Sequence, residues 1–406
     1  MRPRRLLARF ALAAAATLFA LAGLEAALRL IGWSYPNFYR PEPVRGWGLR
    51  PGAAARWRHE GDAQVRVNRD GLRDEEHPHA KPPGELRIAL LGDSMVEAIQ
   101  VPRDRTFWEL AERRLEGCEP LRGRRVEVLD FGVSGYGTAQ ELLTLRHEVW
   151  KYRPDLVLLG FYAGNDVRNN HRPLEQDPLR PYFTLAGDPP RLVLDDSFRQ
   201  NRGYRLRRSL PGRVLYGLLD NSRALQLGKQ AKAALDGRVG AWKARRSTRG
   251  EAALQELGLD NAVYGPPPDA EWRQAWRVTE ELIRAMHREA RARGARFAVV
   301  TLTTPIQVHP DPAERRRYAR RLGVPDLLAP ERRLAALARR EGFPLLALAP
   351  DLQRHATRTR TYLHGFPNTA PGQGHWNWEG HRVAGNRLAD WLCREVLAPP
   401  SPPPAR

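Results

Sequence analysis

The sequence has little cysteine, methionine or lysine. Two cysteines in 406 residues exclude a disulfide-dense scaffold. A single long uncharged apolar run excludes a multi-span transporter. Only 5 of the 66 basic residues are lysine, the other 61 being arginine, and 46 acidic residues leave a formal charge of +20. That charge suggests a nucleic-acid partner, but the arginines are scattered and no aromatic-interleaved basic cluster occurs. A GC-rich coding bias produces the same arginine-for-lysine skew at tolerant surface positions, so no nucleic-acid partner is expected. Attraction to an anionic polymer, an acidic glycan or a membrane surface, stays open. What is present is 42% hydrophobic residues, enough for a real core and against wholesale disorder. The length suits one large domain or two modest ones, and 34 glycines with 34 prolines require many loops.

Arg2, Arg4, Arg5 and Arg9 precede the apolar run from Phe10 to Leu24. As a helix that run reaches roughly 22 Å, short of a hydrocarbon core of about 30 Å. It continues to Ile31, about 33 Å in all, if Glu25 and Arg29 pair at i,i+4 with the acid first. Trp33 and Tyr35 would then sit at the interface. The flanking arginines favour a cytoplasmic N-terminus and an exported body: a single-pass inner-membrane anchor over residues 1–33 with a periplasmic domain. The rival reading is a cleaved signal peptide, because Ala20-Leu21-Ala22 fits a small-x-small cleavage site.

Residues 34–84 read as a small β-rich lead-in, with alternating pieces such as Ala63-Gln64-Val65-Arg66-Val67. From 85 to 397 the pattern is that of a doubly wound, mainly parallel, five-stranded α/β sheet of flavodoxin-like type. The short apolar runs Arg87–Leu91, Val126–Leu129, Leu156–Phe161, Phe297–Leu302 and Pro344–Leu348 are its strands. Capping boxes at Thr106–Glu109 and Thr138–Glu141 open two helices. Asp269 starts a long amphipathic one, Glu331–Glu341 is another, and Asn377 caps the last, to about Val396. Residues 167–268 break this rhythm and read as an inserted, lid-like segment. The Pro-rich tail 398–406 reads as disordered.

In such a sheet, functional groups sit where strands end and helices begin. Gly92-Asp93-Ser94, Ser134-Gly135-Tyr136-Gly137, Gly164-Asn165-Asp166 and His375-Trp376-Asn377 all occupy such places. Acyl transfer needs a nucleophile, a base and oxyanion donors. Ser94 can supply the first and His375 the second. The N–H groups of Ser94 and Gly135 and the Asn165 amide can supply the donors. Asp93 and Asp166 read as structural acceptors for loop N–H groups, and His381 as a packed histidine; Trp376 either lines the cleft or packs. A zinc site from His364, His375 and His381 lacks further ligands at suitable spacing, and no metal is expected. The Gly-x-Ser-x-Gly elbow is missed by Gly132-Val133-Ser134-Gly135.

These four blocks, in this order, resemble the SGNH/GDSL hydrolases over residues 86–166 and 295–397. The resemblance implies that Ser94 is the nucleophile, that Gly135 and Asn165 are oxyanion donors, and that His375 is the base. Val67-Asn68-Arg69-Asp70-Gly71-Leu72-Arg73 also looks like membrane-anchored bacterial members of that family. One departure stands out. The family places its triad Asp two or three residues before the His, where this sequence has Gln373 and Gly372. Three explanations stay open: Gln373 or a backbone carbonyl orients a Ser–His dyad, Asp351 supplies the carboxylate from elsewhere, or the site is weak or dead. Cys118 and Cys393 fall near the far ends of the helices after Ser94 and after His375, which are neighbours in flavodoxin-like sheets, so they either form a bridge or remain two buried thiols.

The resemblance implies carboxylic-ester hydrolysis or O-acyl transfer on a cell-surface carbohydrate, with no metal or organic cofactor. Nothing in the sequence speaks to oligomeric state. A rival is a non-enzymatic envelope protein that binds an acidic glycan and keeps a decayed site. Lipid-ester hydrolysis fits the anchor but lacks a recognisable apolar lid helix.

Overall fold

The computed structural model describes residues 2–35, 37–121, 123–232, 235 and 260–398. The Pro-rich tail beyond residue 398, and residues 233–234 and 236–259 of the insertion, lie outside the described residues. The chain divides into two compact units, Met1–Phe38 with Arg202–Ala252, and Tyr39–Asn201 with Ala253–Arg406.

The larger unit opens with two antiparallel ribbons, β1 (Tyr39–Glu42) with β2 (Gly46–Leu49), and β3 (Ala54–Trp57) with β4 (Ala63–Arg66). The alternation at Ala63–Arg66 is that of a half-buried strand, with Ala63 and Val65 inward. The central sheet follows: β5 (Leu86–Gly92), β6 (Val126–Gly132) and β7 (Leu156–Tyr162). After a hairpin, β8 (Tyr182–Ala186) with β9 (Arg191–Asp195), it resumes with β10 (Arg296–Leu302) and β11 (Leu345–Ala347). All five central strands are parallel, in the order β11-β10-β7-β5-β6. Every residue of β5, β6 and β7 is buried, which is why they read as mainly apolar runs; the charged Arg87 of β5 and Glu127 of β6 pair at 2.6 Å.

Alternate residues of each strand serve opposite faces. Ala89, Leu91, Leu129 and Phe131 join the cluster formed with the helices Thr138–His147 and Ala270–Ala292. Ile88, Leu90, Val126 and Val128 join the one formed with Phe107–Leu115 and Trp378–Trp391. These last two helices pack so closely that a Cβ at Gly385 would lie 2.5 Å from the Phe107 carbonyl oxygen. Beyond their ends Cys118 and Cys393 form a disulfide, with 5.8 Å between Cα atoms. Of the interval 167–268, the β8–β9 hairpin leans on the first cluster through Phe183, Leu185 and Leu192. The stretch from Arg202 belongs to the smaller unit.

The caps match the sequence expectation in three places. Thr106, Asp269 and Asn377 accept hydrogen bonds from Glu109, Trp272 and Glu379 N–H groups. The fourth is corrected: Thr138 is inside its helix, and Gly137 is the cap. Asn170 Oδ1 takes the Ala139 N–H at 2.8 Å from a different segment. Glu141 is buried and cannot curl back.

In the smaller unit a helix spans Arg2–Leu30, and its part Ala8–Leu30 is long and apolar enough to cross a membrane, with mean hydropathy 1.9. Glu25 and Arg29 pair at 2.7 Å, as the i,i+4 spacing predicts. Two helices, Arg202–Arg208 and Leu210–Asn221, follow from the later segment.

The disulfide closes a loop of 275 residues. Replacing both cysteines by serine should lower the unfolding free energy by about 2–4 kcal/mol. Urea titration measures it; an unchanged midpoint and slope would show that the bridge contributes nothing.

Candidate active site

Strand β5 ends at Gly92, and the chain turns at once into a one-turn helix, Ser94–Glu97. The turn is tight: a Cβ at Gly92 would lie 2.3 Å from Val96 Cγ2. Asp93 caps it, accepting from Met95 N–H at 2.9 Å. Ser94 therefore stands at the carboxyl end of β5, with its hydroxyl 2.8 Å from His375 Nε2. His375 arrives from the loop before the Trp378–Trp391 helix. That loop is set from behind by His364, whose Nδ1 is 2.7 Å from the Gly374 carbonyl oxygen, and by Trp376, whose indole N–H donates to Thr303 Oγ1 at 2.8 Å.

The acid that orients His375 is neither Gln373 nor Asp351. Gln373 is exposed. Asp351 is engaged by Arg354 and Arg387 in the first turn of the Ala349–Thr359 helix. The partner is Glu60, at the tip between β3 and β4. Glu60 Oε2 lies 2.6 Å from His375 Nδ1, and Glu60 Oε1 accepts the His375 backbone N–H at 2.6 Å. One carboxylate thus holds both the ring and its backbone. Its turn is secured from the same loop: Asn368 donates to the Arg58 and Gly61 carbonyls at 3.0 and 2.9 Å and accepts the Gly61 N–H at 3.0 Å. Gly374 is required here, with φ +71° and a virtual Cβ only 2.1 Å from Glu60 Oε1. Local sequence offered one trace of this approach, the glycines on either side of Gln373, where something else must come close.

Burial pushes the His375 pKa down, but the hydrogen bond and charge of Glu60 outweigh it and leave the ring above the ordinary histidine value. Burial pushes Glu60 up, and His375 in turn holds it below the usual carboxylate range. The His375 side chain is 26% exposed, so it is reachable from solvent. Its neighbours His364 and His381 are fully enclosed, and burial drives both down to about 3, keeping them neutral. His381 Nδ1 accepts the Phe107 N–H, and Trp376 is wholly buried, so it packs. Among the described residues no three His, Cys, Asp or Glu side chains are grouped as a metal site requires.

Gly135 follows β6 with φ +78°. Side-chain hydrogen bonds fix the Ser134–Gly135 turn. Glu97 accepts both the Ser134 N–H, at 2.5 Å, and its hydroxyl. Trp47 Nε1 donates to the Ser134 carbonyl at 3.1 Å, and Arg180 Nη2 to the Gly135 carbonyl at 2.7 Å. In a trans peptide the Gly135 N–H points opposite to the Ser134 C=O, so Trp47 aims that N–H away from itself. Among the described residues the N–H groups of Ser94 and Gly135 meet no acceptor. Asn165 caps the short Asp166–Asn169 helix, and its Nδ2 donates to Asp93 Oδ2 at 2.9 Å. A carboxamide has two N–H bonds, so one remains available. Asp166 accepts the Tyr162 N–H at 2.7 Å, a structural role like that of Asp93.

No family model and no curated protein matches the chain. Among solved structures it is similar to the crystal structure of TesA, at 14% identity and TM-score 0.36, over 77% of this chain and 99% of that one. It is also similar to a catalytic mutant of Axe2, an acetylxylan esterase from Geobacillus stearothermophilus, at 10% identity and TM-score 0.36, over 76% and 93%. A third likeness, at 11% and 0.37 over 80% and 54%, is to a two-domain esterase active on acetylated mannans. At such scores none of these bears on substrate or mechanism.

The ring of His375 should titrate above pH 6.5, the usual histidine midpoint. In Glu60→Gln the midpoint should fall, because the charge favouring imidazolium is gone. NMR titration of the ring protons checks both; identical midpoints in the two proteins would remove Glu60 as its partner.

Proposed function

We propose that this chain is an ester hydrolase of SGNH/GDSL type, in which Glu60 takes the part of the missing triad aspartate. The observation that carries the reading is the continuous hydrogen-bonded line from Ser94 Oγ through His375 to Glu60. As the Ser94 oxygen attacks the ester carbonyl carbon, its proton passes to His375 Nε2. The carbonyl oxygen takes up the negative charge, which the N–H groups of Ser94 and Gly135 and the second amide proton of Asn165 stabilise. Collapse breaks the bond to the leaving alkoxide, and His375 returns the proton to it. Water then repeats the sequence on the acyl-serine, with His375 again as base. Glu60 keeps the Nδ1 proton facing itself and favours the imidazolium that forms twice per cycle.

The substrate class we propose is the O-acyl groups of a carbohydrate outside the cytoplasm. The supports are the motif resemblance and the Ala8–Leu30 helix, read as a membrane anchor. A sugar hydroxyl in place of water would make the same acyl-enzyme a transferase. The decayed-site rival rested on a missing acid, and Glu60 removes that ground.

Purified protein should react with a fluorophosphonate and turn over p-nitrophenyl acetate, and Ser94→Ala and His375→Ala should abolish both. Turnover unaffected by Ser94→Ala would overturn the assignment. Glu60→Gln should cost up to about ten-thousand-fold in kcat, by analogy with loss of the orienting carboxylate in serine proteases.

Because the base works only when neutral, kcat/KM should rise with pH through the raised His375 value. In Glu60→Gln that limb should move to lower pH. A pH-independent rate between pH 5 and pH 9 in the unsubstituted protein would argue against His375 as the base.

A further inference from the structure

The helix Leu210–Asn221 leaves an apolar stripe uncovered. Leu210, Val214, Leu215 and Leu218 are 67, 57, 51 and 60% exposed. At 100° per residue they fill one arc of about 140°. Away from the stripe, Gly212 is buried, and a Cβ there would lie 1.8 Å from the Leu206 carbonyl oxygen. Four large exposed aliphatic side chains on one face are not the scattered exposure usual on a soluble surface.

Charge accompanies the stripe. From Arg202 to Leu219 the sequence has five arginines, at 202, 205, 207, 208 and 213, and no carboxylate. The stripe is also tied to the apolar N-terminal helix within its own unit. Arg29 Nη2 donates to the Asn221 carbonyl at 2.8 Å, so the stripe-bearing helix ends beside the last turn of Ala8–Leu30. Glu25 Oε2 accepts from Ser222 Oγ and from Ala224 N–H, each at 2.9 Å. Just past the span, the Tyr35 N–H donates to Gln226 Oε1 at 2.9 Å, and Asn37 to Asp220 at 3.1 Å. These contacts all lie in or just past the last two turns of Ala8–Leu30, the end of the helix that meets the interface.

We propose that Leu210–Asn221, with the arginines before it, is an interfacial helix that rests on an anionic bilayer surface beside the transmembrane anchor. The apolar stripe enters the boundary of the acyl chains, and the guanidinium groups meet lipid phosphates. The inference rests on reading Ala8–Leu30 as a membrane span, but it adds a second contact that the span alone does not require. It also gives part of the 167–268 insertion a lipid partner rather than a lid's role.

The test uses the full chain in vesicles of phosphatidylcholine with one quarter phosphatidylglycerol. Environment-sensitive labels go on single introduced cysteines, attached without reductant so that Cys118–Cys393 stays closed. Val214→Cys and Leu218→Cys labels should show blue-shifted emission, lose most of it to brominated lipid, and resist aqueous iodide. A label at Arg207→Cys, among the headgroups, should show a smaller blue shift, less quenching by brominated lipid and more by iodide. Phe19→Cys, inside the span, is the reference. Quenching by brominated lipid at 19 but not at 214 or 218 overturns the interfacial helix alone; no such quenching at 19 overturns the span reading and the inference with it. Labels at 214 and 218 shielded from iodide but not reached by brominated lipid, with cross-linking between copies, overturn the lipid assignment in favour of a second chain.

Discussion

The structure around Ser94 depends on one carboxylate accepting two hydrogen bonds from one residue. Glu60 takes both the backbone N–H and the ring of His375. An imidazole held at a single point can turn about its side-chain bonds, whereas one held at backbone and ring has few rotamers left. The neighbouring residues preserve that grip. Gly374 leaves room for the carboxylate, Asn368 fastens the turn that carries it, and Trp57 donates to the Glu60 carbonyl at 3.0 Å.

The same lead-in reaches the other half of the site. Trp47 holds the peptide that presents the Gly135 N–H. Tyr39 donates its hydroxyl to Glu97, the carboxylate that secures Ser134. Glu97 is fully enclosed, and burial raises its pKa against the pull of Ser134 and Tyr39. Arg73, also buried, donates to the Glu97 and Val101 carbonyls at 2.8 and 2.5 Å and so braces the far side of the nucleophile helix. What reads in sequence as a turn-rich preface is, in the structure, a scaffold that holds both His375 and the Ser134–Gly135 turn, the proposed base and oxyanion donor.

This explains which parts were legible. The five strands and the four loop clusters are local patterns: an apolar run, then glycine with a polar residue at the point where a parallel strand must end. Each is written within about ten residues, so Ser94, Gly135 and Asn165 could be singled out at expected strand ends and His375 at the start of the last helix. The Glu60–His375 contact joins residues 315 apart. Nothing near residue 60 distinguishes a partner of His375 from an ordinary acid at a hairpin tip, so the sequence left Gln373 or a backbone carbonyl, Asp351, or an inactive site as the alternatives. The cap at Thr138 failed for the same reason, because Asn170 caps that helix from outside it.

The order of these parts along the chain has a consequence for biogenesis. During synthesis the hairpin bearing Glu60 and the turn bearing Ser94 emerge early, while His375 lies in the last tenth of the sequence. For most of that time the hydroxyl has no imidazole to take its proton. In the proposed mechanism, nucleophile competence is withheld until the C-terminal helix docks and brings His375 to Ser94, so a nascent or C-terminally clipped polypeptide would carry an inert serine.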